Sequence, residues 1–116
     1  MKLSQIATIL EANIHCGEDK LDIEANSACG CDMMSEALAF VKDQTVLLTG
    51  LVNPQVIRTA EMIDINCIVF VRGKEPTEPM IELAKIRGLV LMSTRYLLFS
   101  ACGMLYTEGL RGGEKA

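Results

Sequence analysis

Three uninterrupted apolar runs set the rhythm of this chain: Thr45-Val46-Leu47-Leu48-Thr49, Cys67-Ile68-Val69-Phe70-Val71 and Leu89-Val90-Leu91-Met92. They begin at Thr45, Cys67 and Leu89, each 22 residues after the last, room for a strand, a turn, a short helix and a return loop. The intervening segments carry helix signals. Asn53 followed by Pro54 reads as a cap and a first helical residue, and a second helix runs from about Thr77 to Arg87, closed by Gly88. Continuous apolar strands alternating with amphipathic helices imply a parallel sheet covered on both faces, with right-handed crossovers.

The flanking segments are less regular. Ser4 reads as the cap of a first helix reaching about Ala12, with Leu3, Ile6, Ala7 and Leu10 on one side. Asn13–Cys16 then reads as a short strand, Gly17-Glu18-Asp19-Lys20 as a polar turn, and Ala25–Cys29 as another short strand ending at Gly30. Asp32 is placed to cap a helix over Met33–Val41, with Glu36 favouring its first turn. Lys42-Asp43-Gln44 breaks the pattern before the first long strand. Ser93-Thr94 leads into a last helix reaching about Tyr106. The expected fold is therefore α/β and three-layered: a mainly parallel sheet flanked by helices in a single domain, residues 1–108, followed by a flexible tail, 109–116.

Composition narrows the function classes. The chain has 116 residues, half of them hydrophobic, which suits one domain with one core and excludes disorder of its body. Tryptophan is absent and aromatics are scarce, so Ile, Leu, Val, Met and Ala must build the core. The formal net charge is −4 and the eleven basic residues are scattered, which argues against nucleic acid. No secretory signal is visible, and no apolar run approaches the roughly 20 residues of a membrane span. With five cysteines, an odd number without a signal peptide, reduced thiols and a cytoplasmic location are expected.

Open parallel sheets bind ligands beyond the carboxyl ends of their strands. There the sequence places Thr49, Gly50 and Asn53, then Arg72 and Gly73, then Ser93 and Thr94. Hydroxyls, glycines and one arginine beside helix N–H groups suit a phosphate or carboxylate. The same residue types also serve as plain caps and turns. His15-Cys16 and Cys29-x-Cys31 offer soft metal ligands if their strands are neighbours, although the spacing is poor and alternating cysteines equally suit a buried strand face. No catalytic motif is present, the single histidine lacks an evident acid partner, and Glu75, Glu78 and Glu82 suit the start of a helix. A non-catalytic role without a cofactor is expected.

The stretch Cys31-Asp32-Met33-Met34-Ser35-Glu36-Ala37-Leu38-Ala39 resembles a segment of the DRTGG domain family. So do Val52-Asn53 opening a helix, Ile68-Val69-Phe70-Val71-Arg72-Gly73-Lys74-Glu75-Pro76, and Leu91-Met92-Ser93-Thr94 before a helix containing Phe99, Ala101 and Gly103. The likeness covers about residues 1–107. It implies a regulatory α/β domain of the kind that accompanies CBS domains in certain pyrophosphatases or precedes phosphotransacetylase domains, and that is similar to the N-terminal domain of HPr kinase. A partner enzyme, a homodimer and a phosphate-bearing ligand held around Asp32, Ser35, Thr49, Gly50, Asn53, Arg72, Gly73, Ser93 and Thr94 are the corresponding expectations. An interaction module without a ligand, and a metal or Fe–S protein using Cys16, Cys29 and Cys31, are the alternatives. The chain departs from the family where Asp-Arg becomes Leu51-Val52, Thr-Gly-Gly becomes Val71-Arg72-Gly73, and Asp-Thr in the last helix becomes Leu97-Leu98. Those apolar replacements suggest an exposed patch of Leu51, Val52, Leu97 and Leu98 that favours self-association.

Overall fold

The computed structural model describes residues 1–40 and 45–113. The expected break at Lys42-Asp43-Gln44, the last expected helical residue Val41 and the end of the tail lie outside the described residues. The elements, in chain order, are α1 (Leu3–Leu10), β1 (Asn13–Cys16), β2 (Ser27–Gly30), α2 (Met34–Phe40), β3 (Thr45–Thr49), α3 (Pro54–Met62), β4 (Cys67–Phe70), α4 (Glu78–Arg87), β5 (Val90–Ser93) and α5 (Leu98–Thr107), with a single 3-10 turn at Glu18–Lys20.

The strands form one sheet in the order β1-β5-β4-β3-β2. Strands β2 to β5 are parallel, with Val46 opposite Cys67 and Cys67 opposite Val90. The even spacing of the apolar runs thus becomes even register. β1 is antiparallel to β5, so Asn13 at its start lies opposite Ser93 at the end of β5.

Alternation along the strands divides the core into two layers. Val46, Leu48, Cys67, Val69, Val90 and Met92 face α1 and α5, where Leu3, Ile6, Leu10, Ala101 and Leu105 meet them. Leu47, Ile68, Phe70 and Leu91 face the other way, against Ala37 of α2, Val56, Ile57 and Ala60 of α3, and Met80 and Ala84 of α4. All three crossover helices therefore share one face, and the first and last helices cover the other. The three-layer α/β expectation holds.

Several local expectations change. α1 starts at Leu3, one residue before Ser4, and is entered at Lys2, whose backbone N–H donates to Gln5 Oε1. β2 starts at Ser27, later than Ala25. α2 starts at Met34, and the carboxylate of Asp32 is engaged elsewhere. α5 starts at Leu98, after Leu97, so Thr94 does not cap it. Asn53 and Thr77 do cap α3 and α4, and Gly88 ends α4 in the left-handed conformation at φ 74°. Within the segment expected as a flexible tail, Leu110 is buried in the α1–α5 layer, and the carbonyl of Arg111 accepts the N–H of Ala28.

The expected patch of Leu51, Val52, Leu97 and Leu98 does not form. Leu51 and Val52 are half-buried against the α2–α4 layer, Leu98 is half-buried against the opposite layer, and Leu97 alone is exposed.

Candidate functional site

The carboxyl ends of β2 to β5 share one rim, and the antiparallel β1 brings its first residue there as well. Most of the expected site residues reach this rim, but they divide into two groups.

The first group lies at the ends of β2, β3 and β4. Asp32 Oδ1 accepts from the Thr49 hydroxyl at 3.1 Å and from the Gly50 N–H at 2.7 Å. Arg72, in the left-handed conformation at φ 63°, turns its guanidinium onto the Gly50 carbonyl at 3.2 Å. A side chain at Gly50 would meet that guanidinium, since a Cβ there lies 2.3 Å from Arg72 Nη2. Asp32, Thr49, Gly50 and Arg72 thus bind one another. The Asn53 side chain accepts the Gln55 N–H at 2.8 Å as the cap of α3, and Ser35 is exposed on α2.

The second group surrounds a cavity of about 300 Å3 lined by Glu11, Asn13, Gly73, Glu75, Ser93, Thr94 and Arg95. Gly73, Ser93 and Thr94 were expected from the sequence; the other four were not. Thr94 is buried, its hydroxyl donates to the Leu10 carbonyl at 2.7 Å, and it accepts the Tyr96 N–H at 3.3 Å. Ser93 Oγ lies 2.8 Å from His15 Nε2, so the single histidine pairs with a rim hydroxyl. These buried groups shape the cavity floor. Asn13 and Glu75 stand exposed at its mouth beside the exposed Arg95, whose guanidinium lies over the Tyr96 ring. Glu11, also at the mouth, accepts the Tyr96 hydroxyl and lies 3.6 Å from Arg95.

The position of this cavity follows from the topology. The loop leaving β4 turns to α4 on one face of the sheet, and the loop leaving β5 turns to α5 on the other. Where neighbouring connections part to opposite faces, an open α/β sheet leaves a crevice beyond its strand ends. Glu11 and Asn13 were illegible as site residues because only the long-range pairing of β1 with β5 brings them here. Glu75 was readable only as a charge favouring a helix start. Arg95 carried a usable signal, as a cation directly after the rim pair Ser93-Thr94.

The thiols divide differently from the metal alternative. Cys16 lies on β1 and Cys29 on β2, the opposite edges of the sheet, about 19 Å apart at roughly 4.8 Å per strand step. They cannot share an ion. Cys31 Sγ donates to the Met33 carbonyl and accepts the Met33 N–H, which steers the chain into α2. Burial pushes the Cys67 thiol far above its ordinary value and raises Cys16 as well, opposite to what a thiolate ligand needs.

Comparison with known proteins places the chain. The model of the DRTGG domain matches residues 5–107. The chain belongs to the DRTGG domain family. No curated protein compared with it matches. Among solved structures, this DRTGG chain is similar to the CBS and DRTGG domains of the regulatory region of Clostridium perfringens pyrophosphatase, crystallised with the activator diadenosine tetraphosphate. The TM-score is 0.75 at 17% identity, over 90% of this chain and 45% of that one. At that identity the likeness is one of fold, and the chain spans less than half of that structure's length. No helix among the described residues is long and apolar enough to cross a membrane.

Proposed function

We propose that this DRTGG domain is a non-catalytic sensing module that takes a small polar ligand in the cavity between the ends of β4 and β5. The observation that carries the reading is the coincidence of that cavity with the point where the connections part to opposite faces. Arg95 stands at its mouth and Lys74 lies on the adjoining loop after β4, so the rim offers cations to a phosphate-bearing guest. Glu11, Glu75 and Asn13 are placed for ribose hydroxyls or an exocyclic amine. A nucleotide combines these chemistries, and the pyrophosphatase region of like fold was crystallised with one. A cavity of about 300 Å3 is at the lower end for small-molecule sites and suits the phosphate and ribose portion, with the base lying outside. The signal would pass to a partner enzyme in the cytoplasm.

Thermal shift and titration calorimetry with AMP, ADP, ATP, diadenosine tetraphosphate and inorganic phosphate test this directly. A bound nucleotide at a hundredfold its Kd should stabilise the fold by about 2.7 kcal/mol. Arg95→Ala should weaken binding at least about tenfold, the scale of one charge-assisted hydrogen bond. No shift with any of these compounds sinks the proposal.

A further inference from the structure

Strand β1 pairs with β5 through a bulge. Ile14 lies opposite Met92 and Cys16 opposite Leu91, which are adjacent on β5, so His15 is an extra residue without a partner in the ladder. Bulges re-aim side chains and recur beside binding sites. This one brings the His15 ring back to the end of β5, with Nε2 2.8 Å from Ser93 Oγ. His15 is half-buried, and Ser93, 3% exposed, lines the cavity of about 300 Å3 between the ends of β4 and β5. The single histidine of the chain thus backs a hydroxyl of the cavity.

We infer that His15 is a positioning residue for that cavity: its protonation turns the Ser93 hydroxyl from a hydrogen-bond acceptor into a donor toward the guest, and so selects for an anion. The inference rests on the ligand reading above and names the regulation of that site. A serine hydroxyl has one proton to give and lone pairs to receive. While Nε2 is an acceptor, the proton goes to the ring and Ser93 offers the cavity lone pairs, which suit a ligand hydroxyl or amine and repel a phosphate. An imidazolium donates from both nitrogens. Nε2–H then gives to Oγ, and the hydroxyl proton turns to the guest, strengthened by the charge behind it. The hydroxyl is too buried for bulk water to stand in for the missing partner in either state.

The surroundings carry charges of both signs. β5, beside β1, has no ionisable side chain. α4, packed on β1, carries Glu78, Glu82, Lys85 and Arg87. On β1 itself burial pushes the Cys16 thiol up, which keeps it neutral, and the turn that follows holds Glu18, Asp19 and Lys20. At the cavity Glu11 and Glu75 favour an imidazolium and Arg95 opposes it. Histidine is the side chain that ordinarily changes charge between about pH 5 and 8. Anion binding and protonation of His15 favour one another by equal amounts. The gain in affinity is therefore complete below the midpoint of the free imidazole and is lost as pH rises through that of the complex.

Diadenosine tetraphosphate and sulfate are suitable probes, since neither changes charge over the interval from about pH 5.5 to 8 in which an ordinary histidine titrates. By calorimetry the wild type should bind them about tenfold more tightly at the acid end, the scale by which a charge-assisted hydrogen bond exceeds a neutral one. Buffers of different ionisation enthalpy should reveal proton uptake on binding. The NMR signal of the single imidazole should titrate at a higher midpoint in the complex. His15→Gln should hold affinity at its alkaline value throughout. Ser93→Ala should also abolish the pH dependence while the His15 signal still titrates, which separates a hydroxyl relay from a bare nearby charge. Binding of equal strength at both ends, a His15 midpoint unmoved by the anion, or a pH dependence that survives Ser93→Ala overturns the inference and leaves the ligand site standing. If neither anion binds at any pH the inference falls, and the ligand reading falls with it only if AMP, ADP and ATP fail as well.

Discussion

Thr59 is 1% exposed in α3, and its hydroxyl has no hydrogen-bond partner among the described residues. A buried hydroxyl without a partner costs about 1–3 kcal/mol in proteins, and valine matches its shape with a similar helix propensity. Thr59→Val should therefore stabilise the domain by about 1 kcal/mol, read as a higher urea midpoint with an unchanged slope. A loss of stability would show that the hydroxyl is hydrogen-bonded in solution. Single residues were also where reading the sequence was least secure. Asp32 and Ser4 were expected as helix caps, and neither caps a helix. The reason is chemical: an oxygen that suits the N–H groups of a helix start suits those of a strand end equally well. Asp32 takes the N–H of Gly50, and Thr94 takes that of Tyr96. Arg72 likewise had the right charge and position for an anion, yet its guanidinium lies on the Gly50 carbonyl.

Elements were more legible, because their signals sum over many residues. The three apolar runs became β3, β4 and β5 with the expected parallel neighbours, since a strand buried on both faces needs apolar residues at every position. Helix α3 was legible for a second reason: Asn53 and Pro54 together define a start that neither defines alone. This also separates the two roles assigned to Asn53. With its side chain on the Gln55 N–H, Asn53→Ala should cost about 1 kcal/mol, Asn53→Asp should recover most of it, and nucleotide affinity should be unaffected by either. Chemical denaturation beside calorimetry measures both, and a lost affinity with unchanged stability would return Asn53 to the ligand site. The edge strands were legible as strands but not as partners. Nothing local in Asn13–Cys16 announces an antiparallel pairing with β5, more than seventy residues on, and the metal alternative failed on that point, having assumed that β1 and β2 were neighbours.

At the scale of the molecule, two consequences follow from which face each connection takes. Because α2, α3 and α4 share a face, the chain must cross to the other to place α5, and it does so after β5, opening the crevice at the rim. Once α5 has crossed the α1 face, its following segment returns to β2, the sheet edge opposite β1. There the Arg111 carbonyl accepts the Ala28 N–H at 2.9 Å, and Leu110, 5% exposed, fills the layer beneath α1 and α5. An uncovered edge strand is a template for pairing with other chains, so this segment protects β2 as well as closing the core. Leu110→Ala should cost roughly 2–3 kcal/mol, the scale for truncating a buried leucine at a site able to collapse in part, seen as a lower denaturation midpoint. Removing residues 110–113 should cost at least as much and add concentration-dependent aggregation, measurable by light scattering, that Leu110→Ala alone does not produce. The two variants separate core filling from edge protection: if the shortened chain stays as free of aggregates as Leu110→Ala, β2 needs no cover and the segment acts through Leu110 alone.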